Sequence, residues 1–416
     1  MKKRIIAVSL ALVLLFCAAG CGMFETEYTY SEPYVDTLDR DTGDATEVRN
    51  YSMLKAAILD MINSHQESAE LRFSNYNGTV SDDLAAVCLE IKSANPLGAY
   101  AVDTLTYDTS RIVSYYIAEV KATYQKSAEL ISSIRSINNA TELQNFLHNE
   151  VLAESQEQAV IRAYWSQIDE SSLEKLLERL CLDDPVGIPL PVTAAVTGYP
   201  NEGSNRIFEI SLSYLQSGSQ REIMSQRIES RIEELSAGAL PEDEAARALA
   251  LAELLSGSLT EPAGEYCSTA YGALVEHGAD SRGIALAYGA LCRAADIDCM
   301  VVKGSIGTMG TEEHYWNILR VGDDYYHADV SQFVFDPAYA FLISDDALWG
   351  TYIWATEDYP ACSGPLTYAD IAPQPEEGEE PENTEELEES ELPEETEPPA
   401  PTEEPIPPEE TSEINP

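Results

Sequence analysis

Asp280-Ser281-Arg282-Gly283-Ile284-Ala285 opens an apolar run at helical spacing through Leu286, Ala287, Ala290, Leu291 and Ala294. Downstream lie Glu313-His314-Tyr315-Trp316-Asn317 and Tyr325-Tyr326-His327-Ala328-Asp329, with Gly322-Asp323-Asp324 between them. The first segment predicts a helix opened by Ser281, and the other two predict the strands of a hairpin. A nucleophile needs a base within hydrogen-bond reach and a third group that orients the base. Ser281, His314 and Asp329 offer those three groups in a fixed order. Ser281 also has a plain structural reading, because Ser is a preferred helix N-cap.

These residues closely resemble the transglutaminase-like family of cysteine-triad proteins. Its motif runs Cys-x-Gly-x-Ala, then His-x-Trp-Asn, then Tyr-x-x-Asp. Gly283, Ala285, His314, Trp316, Asn317 and Asp329 match it, and Ser281 stands in place of the Cys. The resemblance covers roughly residues 265–335. It implies an α+β fold with a papain-like core, and a site descended from enzymes that cleave or exchange amides through a Cys thioester. A helix start and a neighbouring imidazolium activate a thiol strongly. A hydroxyl is far less acidic and would need His314 as general base during attack, with Asp329 orienting the ring. The expectation is therefore a degenerate domain that binds peptide, glycan or another envelope component in the old cleft. The alternatives are an active amide hydrolase or acyltransferase built on Ser281, and a structural spacer. Trp316 is expected to pack under the site and Asn317 to bond nearby backbone. His327 is a rival base, two residues before Asp329 and so on the same strand face. Cys292 lies eleven residues beyond Ser281, about 16 Å along a helix, and cannot supply the missing sulfur.

The domain expected to carry the resemblance spans residues 241–370 of a 416-residue chain, which is long enough for two domains. Before it, residues 51–240 read as a mixed helix and strand region of no assigned role, with no tandem repeat of constant period. Its Tyr-rich strands suit half-exposed sheet surface. After it, residues 371–416 hold eighteen Glu, no Lys or Arg and about one-quarter Pro, which predicts a disordered acidic tail. Trimming that tail is expected to leave the fold intact.

The formal net charge of −49 excludes nucleic acid as an expected partner, since phosphate binding needs basic patches. At the other end, Lys2, Lys3 and Arg4 precede a short apolar core and Ala18-Ala19-Gly20-Cys21. This resembles the bacterial lipoprotein signal. It implies removal of residues 1–20, lipid on Cys21, an acidic tether over residues 21–50, and export to the outer face of the bacterial cell membrane. Eight Cys show no CxxC pair and no zinc spacing, so no metal and no cofactor are expected.

Overall fold

A computed structural model describes residues 45–112, 115–189, 192–307 and 312–372. Cys21, the signal, nearly all of the tether and nearly all of the tail lie outside the described residues. The described chain mixes helices and antiparallel-dominated sheets, an α+β architecture.

Residues 45–132 form the first of three sheet-bearing parts. Strand β1 (Thr46–Val48) leads into helix α1 (Tyr51–Asn63), whose start is capped by the Asn50 side chain on Met53 N. Then come β2 (Ser68–Phe73), α2 (Val80–Ser93), α3 (Pro96–Ala101), β3 (Val102–Ile112), β4 (Tyr115–Tyr124) and α4 (Ala128–Ser132). The sheet order is β1-β2-β4-β3, with β1 parallel to β2 and the rest antiparallel. Leu54, Ile58 and Ile62 of α1 and Leu84, Val87 and Ile91 of α2 recur at helical spacing and bury one face of the sheet.

Residues 135–236 repeat that plan: β5 (Arg135–Ile137), α5 (Ala140–Asn145), β6 (Gln158–Ala163), α6 (Glu170–Asp183), β7 (Val192–Tyr199), β8 (Arg206–Tyr214) and α7 (Gly218–Ser236). The order is again β5-β6-β8-β7, with the same parallel first pair. The match reaches single bonds. Tyr124 Oη donates to Gln66 O at 2.6 Å, and Tyr214 Oη, ninety residues on, donates to Gln156 O at 2.9 Å. Ala122 N to Glu67 O is matched by Leu212 N to Glu157 O. The chain thus contains a tandem structural repeat of about ninety residues, which corrects the expectation of none. One local difference is that α5 continues as π turns over Phe146–Leu152.

The last part places the candidate site. Helices α8 (Glu244–Ser258) and α9 (Ala270–Leu274) precede α10 (Ser281–Ala294), which is buried along ten consecutive residues from Gly283 to Cys292. A helix apolar on every side must sit in a core. It packs on a five-stranded antiparallel sheet of order β12-β11-β10-β9-β13. Its strands are β9 (Cys299–Ile306), β10 (Glu312–Val321), β11 (Asp324–Ala328), β12 (Phe341–Ile343) and β13 (Tyr352–Trp354). Short helices α11 (Val330–Phe333), α12 (Asp345–Leu348) and α13 (Tyr368–Ile371) fill the connections. Helix α6 reaches this sheet by charged groups: Arg179 donates to Val301 O at 2.9 Å, and Lys303 pairs with Glu178.

Candidate active site

Ser281 is the first residue of α10, and it does not cap the helix. Asp280 does, its Oδ1 accepting from Gly283 N at 3.0 Å while Ser268 donates to its Oδ2. Carboxylate and hydroxyl side chains cap equally well, so the residue nearer the turn took the role. The Ser281 hydroxyl accepts from the backbone N–H of Tyr315 at 3.4 Å, a long and weak bond. Gly283 has a packing reason: a Cβ there would fall 2.3 Å from Cys267 O and 2.9 Å from Thr269 O. Only a hydrogen lets the helix start settle on the 267–269 loop.

His314 and Asp329 are brought together. His314 Nε2 lies 2.6 Å from Asp329 Oδ2, both side chains about 6% exposed. Asp329 accepts three more bonds: Ser331 N at 3.1 Å and Ser331 Oγ at 2.6 Å on Oδ1, and Tyr352 Oη at 2.8 Å on Oδ2. It also caps α11. Asp329 Oδ2 is the acceptor that faces the ring, so His314 donates through Nε2. In the neutral ring Nδ1 then carries the lone pair, the state a general base requires. Among the described residues no hydrogen bond joins His314 to Ser281.

The ring is held by aromatics. His314 lies 6.1 Å from Trp316 in a stacked arrangement and 5.8 Å from Tyr352 edge-on. Beside Asp329, burial and the carboxylate push the Tyr352 hydroxyl pKa strongly up, so Tyr352 remains a donor. Trp316 is 1% exposed and fits because Gly304, opposite His314 on β9, has no side chain in its way. Asn317 is buried, with Nδ2 bonded to Ala285 O at 3.0 Å, tying β10 to α10. Tyr352, Ser331, Asp280 and Gly304 were not read as site residues from sequence. Ser331 had a signal, since Asp-x-Ser is a local capping pattern. Tyr352 had none, arriving from an edge strand 23 residues beyond Asp329.

His327 is committed elsewhere. Its Nδ1 accepts from Trp316 Nε1 at 2.9 Å and its Nε2 donates to Asp345 Oδ1 at 2.8 Å. Both nitrogens are occupied, and burial pushes its pKa below the ordinary value. His327 therefore stabilises the sheet and is no rival to His314. His327, Asp345 and Cys362 bring one ligand atom each within 4.8 Å of one another. The donor set fits a metal badly. A ligating Nε2 would leave Nδ1 accepting from the indole, which demands an imidazolate, whereas ligating histidines donate through the other nitrogen. Cys292 is fully buried, and burial drives its thiol pKa well up, so it has no nucleophilic role.

No family model and no curated protein matches the chain. Among solved structures it is similar to a transglutaminase, with 14% identity over 49% of this chain and 60% of that one, TM-score 0.24. It is similar to a proposed cysteine protease from Cytophaga hutchinsonii, with 14% identity over 44% and 69%, TM-score 0.24. It is also similar to menin, described with its binding site for the Mixed Lineage Leukemia protein, with 21% identity over 27% and 25%, TM-score 0.20. This chain thus spans 60% of the transglutaminase and 25% of menin.

Proposed function

We propose that residues 241–370 are a transglutaminase-like domain, papain-like in its core, that has lost amide chemistry and kept a binding cleft. The domain works at the outer face of a bacterial cell membrane, held there by lipid on Cys21, where it binds a peptide, glycan or other envelope component. One observation carries this reading. The His314–Asp329 pair is completely supported, while the hydroxyl at position 281 is engaged by Tyr315 N and not by the imidazole. A thiol at this helix end would gain from the imidazolium and from the helix end, and a hydroxyl gains little. The test is Ser281→Cys. The new thiol should alkylate faster than the other cysteines of the chain, and adding His314→Ala should remove much of the excess. A thiol no faster than an ordinary exposed one would count against the reading. Anchoring is tested by Cys21→Ala, which should release the protein from the membrane fraction.

A second reading, a Ser-dependent hydrolase, is favoured by Asp280, since a Ser that does not cap the helix lacks that structural explanation. A serine-directed phosphonate that labels Ser281, together with peptide turnover abolished by Ser281→Ala, would establish it and end the first.

A further inference from the structure

A groove of about 530 Å³ runs between α7 and the end of α9. That is the size of a small-molecule site. Along α7 it is lined by Arg227, Arg231 and Glu234, and on the other side by Leu274, Val275 and His277. Two guanidinium groups four residues apart share a helix face and repel each other unless an anion lies between them. Arg227 donates to Tyr271 Oη at 2.9 Å, which fixes one branch of its fork. Arg231 pairs with Glu234 at 2.9 Å, an exposed pair of the weak kind that an incoming oxyanion can displace.

Two further facts fall on the same groove. Arg231 Nε and His277 Nδ1 are both buried without a hydrogen-bond partner among the described residues. Such atoms are rare and call for a partner. His277 is also held at φ 62, a left-handed backbone unusual for a residue with a Cβ. Its carbonyl accepts from Thr260 N and Thr260 Oγ1, which pins the backbone there. The Arg and Glu side chains lining the groove are Arg227, Arg231 and Glu234, which leaves it net positive in a strongly acidic chain. Exposed charges beyond about 8 Å are largely screened at physiological salt, so the nearest groups decide.

We propose that this groove binds a small amphipathic anion, a carboxylate or phosphate monoester. Its head group takes the Arg227 and Arg231 forks in place of Glu234, and its hydrocarbon lies on Val275 and the exposed Ile223. No residue of the Ser281 site takes part, so this proposal and the reading of that site stand or fall separately.

The experiment is calorimetric titration of the full chain with hexyl phosphate, hexanoate and inorganic phosphate. At least one of the two amphiphiles should bind with Kd below about 1 mM, and the tighter of the two names the head group. Inorganic phosphate should bind at least about tenfold more weakly, having no hydrocarbon to bury. Arg227→Gln and Arg231→Gln should each weaken the amphiphile about tenfold by removing a charge-assisted bond. Glu234→Gln should tighten it, and His314→Ala should leave it unchanged. Arg227 is exposed, so its variant keeps the fold, and an unshifted melting temperature checks this. Absence of binding by both amphiphiles overturns the proposal, as does binding that neither arginine variant weakens. Equal affinity for inorganic phosphate overturns the amphipathic assignment.

Discussion

The first repeat and the five-stranded sheet bury their interiors in opposite ways. Among the described residues, the first repeat buries no charged, amide or imidazole side chain; its core is Leu54, Ile58, Leu71, Val87 and their like, and the phenol of Tyr100 is buried there without a hydrogen-bond partner. The region around α10 and its sheet buries Thr269, His314, Asn317, His327 and Asp329. Each such group costs about 1–3 kcal/mol if its partner is lost. Dry packing is enough to specify a sheet with two helices on one face. A fold that instead buries an imidazole–carboxylate pair, backed by a phenol and a serine, carries a cost that packing alone does not require. That contrast sets the five-stranded sheet apart from the first repeat.

Four substitution and pH experiments can break or sharpen the contrast. The largest effect should come from Trp316→Ala, a loss of about 3–5 kcal/mol, because a fully buried ring is removed and His327 Nδ1 loses its donor. Urea unfolding measures it, and hydrogen exchange should show the loss in the sheet while the core of the first repeat stays protected. Equal loosening of both would erase the distinction between them. Asp329→Ala should follow, at about 3 kcal/mol, since it leaves His314 and Tyr352 buried without their acceptor. A cost below that of an ordinary surface change would mean that the pair is not integral to the sheet.

The pH dependence of stability comes next. Burial holds the His327 pKa below its ordinary value in the folded chain. The unfolded ring therefore takes up a proton at higher pH than the folded one. Stability should be fully present above about pH 6.5, fall as pH drops through that value, and level off below the folded pKa. His327→Gln should flatten this slope, and a wild-type profile flat from neutral pH downward would refute the assignment. The smallest effects belong to the start of α10. Asp280→Ala should cost about 1 kcal/mol through the lost cap, and Ser281→Ala should stay within about 0.5 kcal/mol. The reverse order in thermal melts would return the cap to Ser281.

Much of the site was legible because its parts lie on neighbouring elements. The hairpin from His314 to Asp329 has a readable turn and readable alternation, and pairing across it puts Asn317 opposite Ala328. The cap was misread because two adjacent residues could both fill it, and sequence does not say which one turns the chain. Tyr352 was hidden because it belongs to a three-residue edge strand. The tandem repeat was hidden for a different reason. Its two copies share strand order and a tyrosine clasp, but β1 and β5 have three residues each, and the helix after β5 is partly wound in π turns. Periodicity detects repeated side chains, and here the repeated quantity is the path of the backbone.

The division of labour between Asp280 and Ser281 has an evolutionary side. Since the helix is capped by its neighbour and the close packing is provided by Gly283, residue 281 is under little structural demand of its own. Under the proposed reading, a lineage carrying this scaffold can exchange a hydroxyl for a thiol at that position without refolding anything, so the chemistry of the site is the part of the protein most readily changed.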